Sequence, residues 1–200
     1  CNVGVDVIID FSTASAVDGL LDYAASKKIP VVLCTTGLSE EQLVKVNEAA
    51  DKVAVLRSAN MSIGVNVIMK LLRDAVSRLA PEGFDVEIVE KHHNQKLDAP
   101  SGTALALADV MNDEMNGAYE YVYDRSQVRQ KRDKKELGIS AVRGGNIVGE
   151  HDVIFAGIDE VITISHSAHS KAIFAKGAIA AAKYLAGRTP GLYDMSDVMK

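Results

Sequence analysis

Two hundred residues suffice for one good-sized domain or two small ones, with a hydrophobic core that needs no disulfide staples. Twenty-two Lys and Arg against 27 Asp and Glu leave a net charge of −5, so there is no bulk positive field to draw nucleic acid or an anionic membrane. With 48% hydrophobic and 24% charged residues, the composition is that of a packed chain rather than a disordered one, and it reads as cytoplasmic.

The two cysteines, Cys1 and Cys34, stand in no CxxC or Cys/His spacing, so neither a disulfide framework nor a metal ribbon is expected. The best apolar stretch, Ala172 to Ala182, is broken by Lys176 and falls short of the roughly 18 residues a membrane span requires. Cys1-Asn2-Val3-Gly4 carries no initiator Met, basic leader or apolar leader core and runs at once into an apolar segment. The chain is therefore expected to begin in mid-domain.

Val5 to Phe11, Ile29 to Leu33 and Val53 to Leu56 are short β-branched runs, predicted as strands buried on both faces. Val17, Leu20, Leu21 and Ala24 keep helical spacing between the first two, with Ser12 or Thr13 as cap; Ser39 and Gln42 form a capping box ahead of Leu43 and Val46. The pattern β-α-β-α-β predicts an α/β fold with a partial Rossmann-like, doubly wound parallel sheet. Ligands of such sheets sit outside the carboxyl ends of the strands. Here those ends are Asp10-Phe11-Ser12-Thr13, Cys34-Thr35-Thr36-Gly37 and Ser58-Ala59-Asn60-Met61. Any one of them reads as a plain strand-to-helix turn, but three in register favour a cofactor edge. The sequence contains no G-x-G-x-x-G turn and no acidic residue following one.

Met61 to Leu79 is predicted as a long amphipathic helix, and Phe84 to Glu90 as a strand with one wet face. After it comes a cluster of ionisable groups, Glu90 to Asp98, and a helix start at Ala99-Pro100-Ser101-Gly102-Thr103-Ala104. Asp98 and Pro100 are expected to open a helix over Ala104 to Met111, with backbone N–H groups and hydroxyls at Ser101, Gly102 and Thr103 placed for an anionic group such as a substrate carboxylate. His92 can exchange a proton near neutral pH, and Lys96 can neutralise a carboxylate or help protonate a substrate, so the pair suits acid-assisted reduction. His92 and His93 face opposite ways on a strand, and no H-E-x-x-H or Cys partner follows, so no metal is expected.

Further short strands are predicted at Tyr119 to Tyr123, Gly138 to Val142, Asn146 to His151, Asp152 to Ala156 and Glu160 to His166, forming an α+β domain with a mixed sheet. Asp124 to Leu137, with six basic residues and no apolar face, is expected to be a solvated loop. His166, His169 and Lys171 read as lining a substrate cleft or hinge. A closing helix through Ile173, Phe174, Ala178, Ala181 and Leu185 ends near Gly187.

Glu90-x-His92-His93-x-x-Lys96-x-Asp98-x-Pro100-Ser101-Gly102-Thr103-Ala104 resembles the signature of the dihydrodipicolinate reductase family of lysine and diaminopimelate synthesis. The resemblance continues in family order through Ile9-Asp10-Phe11-Ser12, Thr35-Thr36-Gly37, Ala59 to Asn66, Arg143-x-Gly145-x-Ile147-Val148-Gly149-Glu150-His151 and Gly191 to Met195. It implies that His92 is the proton donor and Lys96 the second catalytic group, with His93, Gly102 and Thr103 on a dicarboxylate substrate. Phe11, Ser12, Cys34, Thr35, Thr36, Ser58, Ala59, Asn60 and Met61 would hold the nicotinamide side of NADPH or NADH. Cys34 stands where the family has glycine, and the glycine loop and the residues that choose between the cofactors would precede Cys1. The reaction implied is hydride transfer to ring C4 of the dehydrated 4-hydroxy-tetrahydrodipicolinate, with His92 protonating the resulting enamine. The resemblance also implies a cofactor domain of residues 1–61 and 172–200, a substrate and oligomerisation domain of residues 62–171, and a homotetramer paired through the mixed sheet. Other readings are a different NAD(P)-dependent dehydrogenase of the same two-domain plan, or a binding remnant that does not turn over.

Overall fold

The computed structural model describes residues 4–123 and 125–200; Cys1, Asn2 and Val3, where the sequence reading starts the chain, and Asp124, which opens the basic segment, lie outside them. The chain divides into two compact units, one made of the chain up to Ile63 together with Ala172–Lys200, the other of Gly64–Lys171.

The first unit opens as the periodicity predicts, with β1 (Ile8–Asp10), α1 (Ala14–Lys27), β2 (Val31–Leu33), α2 (Glu40–Ala50) and β3 (Ala54–Arg57). Of the run Val5 to Phe11, only the three residues that pair with β2 are strand. Ser39 and Gln42 close the expected capping box on α2. Thr13 caps α1 by position without a side-chain capping bond to its backbone; its hydroxyl meets that of Ser15 at 3.0 Å instead.

The second unit follows with α3 (Ile63–Leu79), β4 (Asp85–His92), α4 (Gly102–Glu114), β5 (Glu120–Val122), β6 (Glu136–Arg143), β7 (Gly149–Ala156) and β8 (Val161–Ala168). The sheet order is β5-β6-β4-β7-β8, with β4 parallel to β6 and antiparallel to β7, so the sheet is mixed as predicted. Residues of α3 and α4 pack with Val86, Ile88, Leu137, Ile139, Val153 and Phe155 of the strands in one core. Three expectations need correction. Asn146 to His151 and Asp152 to Ala156 are not two strands: Asp152 pairs with Lys91 at 3.2 Å and sits inside one continuous β7 instead of breaking it. The helix after the ionisable cluster runs from Gly102 to Glu114, with Ser101 as its N-cap. The basic segment is anchored as well as solvated. Arg132 forks onto Glu87 and Asp85 of β4 at 2.8 Å each, and Arg125 pairs with Glu136.

The chain then returns to the first unit through α5 (Ala172–Leu185), β9 (Gly191–Tyr193) and the single turn α6 (Met195–Val198). β9 adds to β3 and completes an all-parallel sheet of order β1-β2-β3-β9. Val31, Leu33 and Val55 face α1 and α2 on one side, while Val32, Ala54 and Leu56 face α5 and α6 on the other, which is the doubly covered sheet their unbroken apolar character demands. Sequence patterning misses β9 because a three-residue strand that begins with a glycine carries no period.

Candidate functional site

The site of the second unit grows out of a change in chemistry along one face of β4. Val86, Ile88, Glu90 and His92 alternate onto the buried face, so the apolar core gives way at its end to an acid and an imidazole. Register supplies their neighbours: Glu90 lies opposite His151 of β7, His151 opposite His166 of β8, and His92 opposite Arg143 of β6. Glycine makes room at the end of the row, because a Cβ on Gly149 would stand 3.0 Å from Nε2 of His92.

Glu90 is fully buried and fully engaged. One carboxylate oxygen accepts from Nδ1 of His92 at 2.6 Å and from Nη1 of Arg143 at 2.8 Å; the other accepts from Nη2 of Arg143 at 2.7 Å and from the Ser101 backbone N–H at 3.0 Å. Burial opposes the charge of Glu90, but the bonds from Arg143, His92 and Ser101 together outweigh it and hold the carboxyl below its usual range. This network assigns the Nδ1 proton of His92 to the bond with Glu90 and leaves Nε2 as the nitrogen for exchange.

Beside it, His151 is pushed down to about 4 by burial and then by the nearby His92, so it is neutral at physiological pH. Its Nε2 lies 3.0 Å from the Ser101 hydroxyl, which also accepts from the Ala104 N–H at 3.1 Å and so caps α4. The rings of His92 and His151 meet edge to face at 5.2 Å, and those of His151 and His166 lie 6.3 Å apart. Nδ1 of His151, Nδ1 of His166 and Nε of Arg143 find no hydrogen-bond partner among the described residues. Among those residues no group of three or more His, Cys, Asp or Glu is arranged to hold a metal ion.

Of the residues singled out in the sequence, His92 is buried at the end of β4 and His93 is half-buried just beyond it. Lys96 follows in the loop with its ammonium 2.7 Å from the Asp98 carboxylate. Ser101 faces inward, its N–H and hydroxyl both committed, while Gly102 is exposed and Thr103 half-buried in the first turn of α4. Glu90, Arg143 and His151 were not among the candidates, although a parity count along Asp85 to His92 puts Glu90 with the apolar residues and not with the wet acids Asp85 and Glu87.

In the first unit the three strand-end turns line the carboxyl edge of the parallel sheet. Phe11, Ser12, Thr36 and Ala59 are exposed, Cys34 and Ser58 half-buried, and Thr35, Asn60 and Met61 buried. The Thr35 hydroxyl donates to Asp10 at 2.6 Å, tying the end of β2 to the end of β1, and Asn60 Oδ1 accepts from the Ser62 N–H at 2.8 Å. The Cys34 thiol is pushed up to about 12 by burial and the neighbouring Asp10 charge, which keeps it protonated. Phe11, Ser12 and Thr36 are thus exposed at the carboxyl edge of the parallel sheet, the edge at which doubly wound folds take their ligands.

Two family models match the chain: "Dihydrodipicolinate reductase, N-terminus" over residues 1–61 and "Dihydrodipicolinate reductase, C-terminus" over residues 64–199. It is 57% identical over 195 residues to a 4-hydroxy-tetrahydrodipicolinate reductase of Caldanaerobacter subterraneus, covering 98% of this chain and 77% of that protein. A reductase of the same name from Clostridium novyi is 51% identical over 200 residues, covering 100% of this chain and 79% of its own. Among solved structures, a dipicolinate-bound dihydrodipicolinate reductase from Paenisporosarcina sp. TG-14 superposes with a TM-score of 0.78 at 24% identity, over 98% of this chain and 74% of that one. A probable dehydrogenase from Thermotoga maritima shares the fold at a TM-score of 0.58 and 11% identity, covering 98% of this chain and 74% of its own.

Proposed function

The chain belongs to the dihydrodipicolinate reductase family, and from that premise we propose that it reduces 4-hydroxy-tetrahydrodipicolinate, through its dehydrated form, to tetrahydrodipicolinate in lysine and diaminopimelate synthesis. The observation that carries this reading is 57% identity to a reductase of that name along nearly the whole chain.

A bound nicotinamide, from NADPH or NADH, supplies the hydride. Phe11, Ser12, Cys34, Thr35, Thr36, Ser58, Ala59, Asn60 and Met61 would hold it at the carboxyl edge of the parallel sheet. His92 holds a transferable proton at Nε2, since Nδ1 is engaged by Glu90, and gives it to the enamine left by reduction. Lys96 and His93 offer cationic or N–H partners to one substrate carboxylate. The first turn of α4, at Gly102 and Thr103, offers the positive end of the helix to the other. Ser101 serves this site from behind, as cap and as partner of His151, rather than by its hydroxyl on substrate.

With this reading go a cytoplasmic location and a homotetramer. The edge strand β8 and its flanking turn support the latter, because Ile158 is 99% and Val161 62% exposed, a bare apolar edge that assembly covers. No helix among the described residues is long and apolar enough to cross a membrane.

The test is reduced-nicotinamide oxidation with enzymatically generated 4-hydroxy-tetrahydrodipicolinate, using both cofactors, on this chain and on the product of the complete reading frame. Substrate-dependent oxidation is expected. His92→Ala should lower kcat by about 10²- to 10⁴-fold with little change in KM, and Thr103→Val should chiefly raise the substrate KM. Oxidation of neither cofactor by a folded protein overturns the reading.

A further inference from the structure

We propose that Glu90 and Arg143 are a positioning pair for this reaction: the carboxylate sets the ring of His92, and the guanidinium ties that carboxylate to the loop that carries Lys96. The inference rests on the reading of His92 and Lys96 given above.

The connection can be followed atom by atom. Nδ1 of His92 donates to Glu90 Oε2 at 2.6 Å, and Arg143 grips both oxygens of Glu90, at 2.8 and 2.7 Å. The same Nη2 that holds Oε1 also donates to the backbone carbonyl of Asp98 at 2.6 Å, and the Asp98 carboxylate holds the Lys96 ammonium at 2.7 Å. The end of β4, with His92, and the loop that follows it, with Lys96, are thereby referred to one ion pair whose carboxylate is fully buried and whose guanidinium comes from β6, 53 residues along the chain. The Ser101 N–H, on Glu90 Oε1 at 3.0 Å, brings the start of α4 into the same frame.

Stability alone gives no reason for this arrangement. Val86 and Ile88 occupy the preceding positions of the same buried face, and a further apolar residue at position 90 would continue the core. Buried ion pairs add little over well-packed apolar groups, whereas a carboxylate that fixes the tautomer and plane of an imidazole is what a proton donor needs. Arg143 also neutralises that carboxylate, which keeps an unpaired negative charge away from a dicarboxylate substrate.

The test uses the product of the complete reading frame and two variants, Glu90→Gln and Arg143→Lys, assayed beside His92→Gln and Lys96→Ala. Glu90→Gln is expected to lower kcat about 100-fold while KM for substrate and cofactor changes little. The solvent deuterium isotope effect should rise and the effect of 4-deuterated cofactor fall, because proton delivery from a misaimed ring becomes limiting. Arg143→Lys, which keeps the charge but loses the fork, should show a smaller fall in kcat and a higher substrate KM, about tenfold. Nitrogen NMR of the wild-type protein should find the neutral His92 ring protonated at Nδ1, a readout that holds even where Glu90→Gln fails to fold. Unchanged kcat and isotope effects in folded Glu90→Gln, or an Nε2-protonated neutral ring in the wild type, overturn the positioning role. Full activity in both His92→Gln and Lys96→Ala instead overturns the reading on which it rests.

Discussion

The ammonium of Lys96 lies 2.7 Å from the carboxylate of Asp98, two residues further along the loop that leads to α4. The bond from Lys96 leads the effects that hold Asp98 below its usual range. Asp98 thus occupies the ammonium that the proposed function assigns to a substrate carboxylate, as an internal stand-in that substrate must displace. Asp98→Asn should lower the substrate KM by about two- to fivefold, the worth of a partly exposed ion pair, with kcat little changed. A rise in KM would mean that Asp98 aims Lys96 and does not compete for it.

Gly149 is the neighbour that lets His92 lie where it does. A methyl there would stand 3.0 Å from Nε2, and the ring can retreat only by straining the 2.6 Å bond from Nδ1 to Glu90. Gly149→Ala should lower kcat about tenfold by shifting the proton donor a few tenths of an ångström, while the melting temperature barely moves. Steady-state kinetics paired with thermal unfolding decides this, and a large drop in melting temperature at unchanged kcat would contradict it.

In the first unit, a Cβ on Gly177 of α5 would fall 1.7 Å from the carbonyl oxygen of Met61, a backbone atom that cannot swing aside. Gly177→Ala should destabilise the protein by about 1–3 kcal/mol or more and distort the Ser58 to Met61 turn. Binding of reduced nicotinamide, followed by fluorescence titration, should weaken more than binding of substrate. An unperturbed melting temperature would show that α5 is free to shift.

How far these relations were legible depends on their range in the chain. The β-α-β-α-β opening, its parallel sheet and the Ser39–Gln42 box follow from local periodicity and capping chemistry, which act within a few residues. The mixed sheet was legible from short alternating runs, but its register was not. Glu90 meets Arg143 across 53 residues and Ser101 meets His151 across 50, and those pairings exist only once β4, β6 and β7 are aligned. For the same reason Asp152 looked like a turn residue: Lys91, which receives it, is 61 residues away. His92, Lys96 and Ser101 to Thr103 drew notice because their density of ionisable and capping groups is local, yet the inward turn of Ser101 depends on His151 and could not be read from the motif.

Acid should unfold this protein earlier than its carboxylates alone require. His151 is 4% exposed, and its ordinary 6.5 falls to about 4 in the folded state through burial and the proximity of His92. The groups that bear on it are His92, Glu90, His166 and Lys96, and only Glu90 favours its charged form. Between pH 6.5 and about 4 the unfolded chain therefore binds a proton at this position that the folded chain refuses. The contribution of His151 is full above 6.5 and is lost as the pH falls toward 4, by up to about 3 kcal/mol. His166, held down by burial, acts with the same sign, and Glu90, held below its usual range, extends the loss to lower pH. Urea unfolding midpoints should fall between neutral pH and about pH 5 in the wild type and fall less steeply in His151→Gln. Parallel slopes in the two proteins would locate the acid sensitivity in some other group.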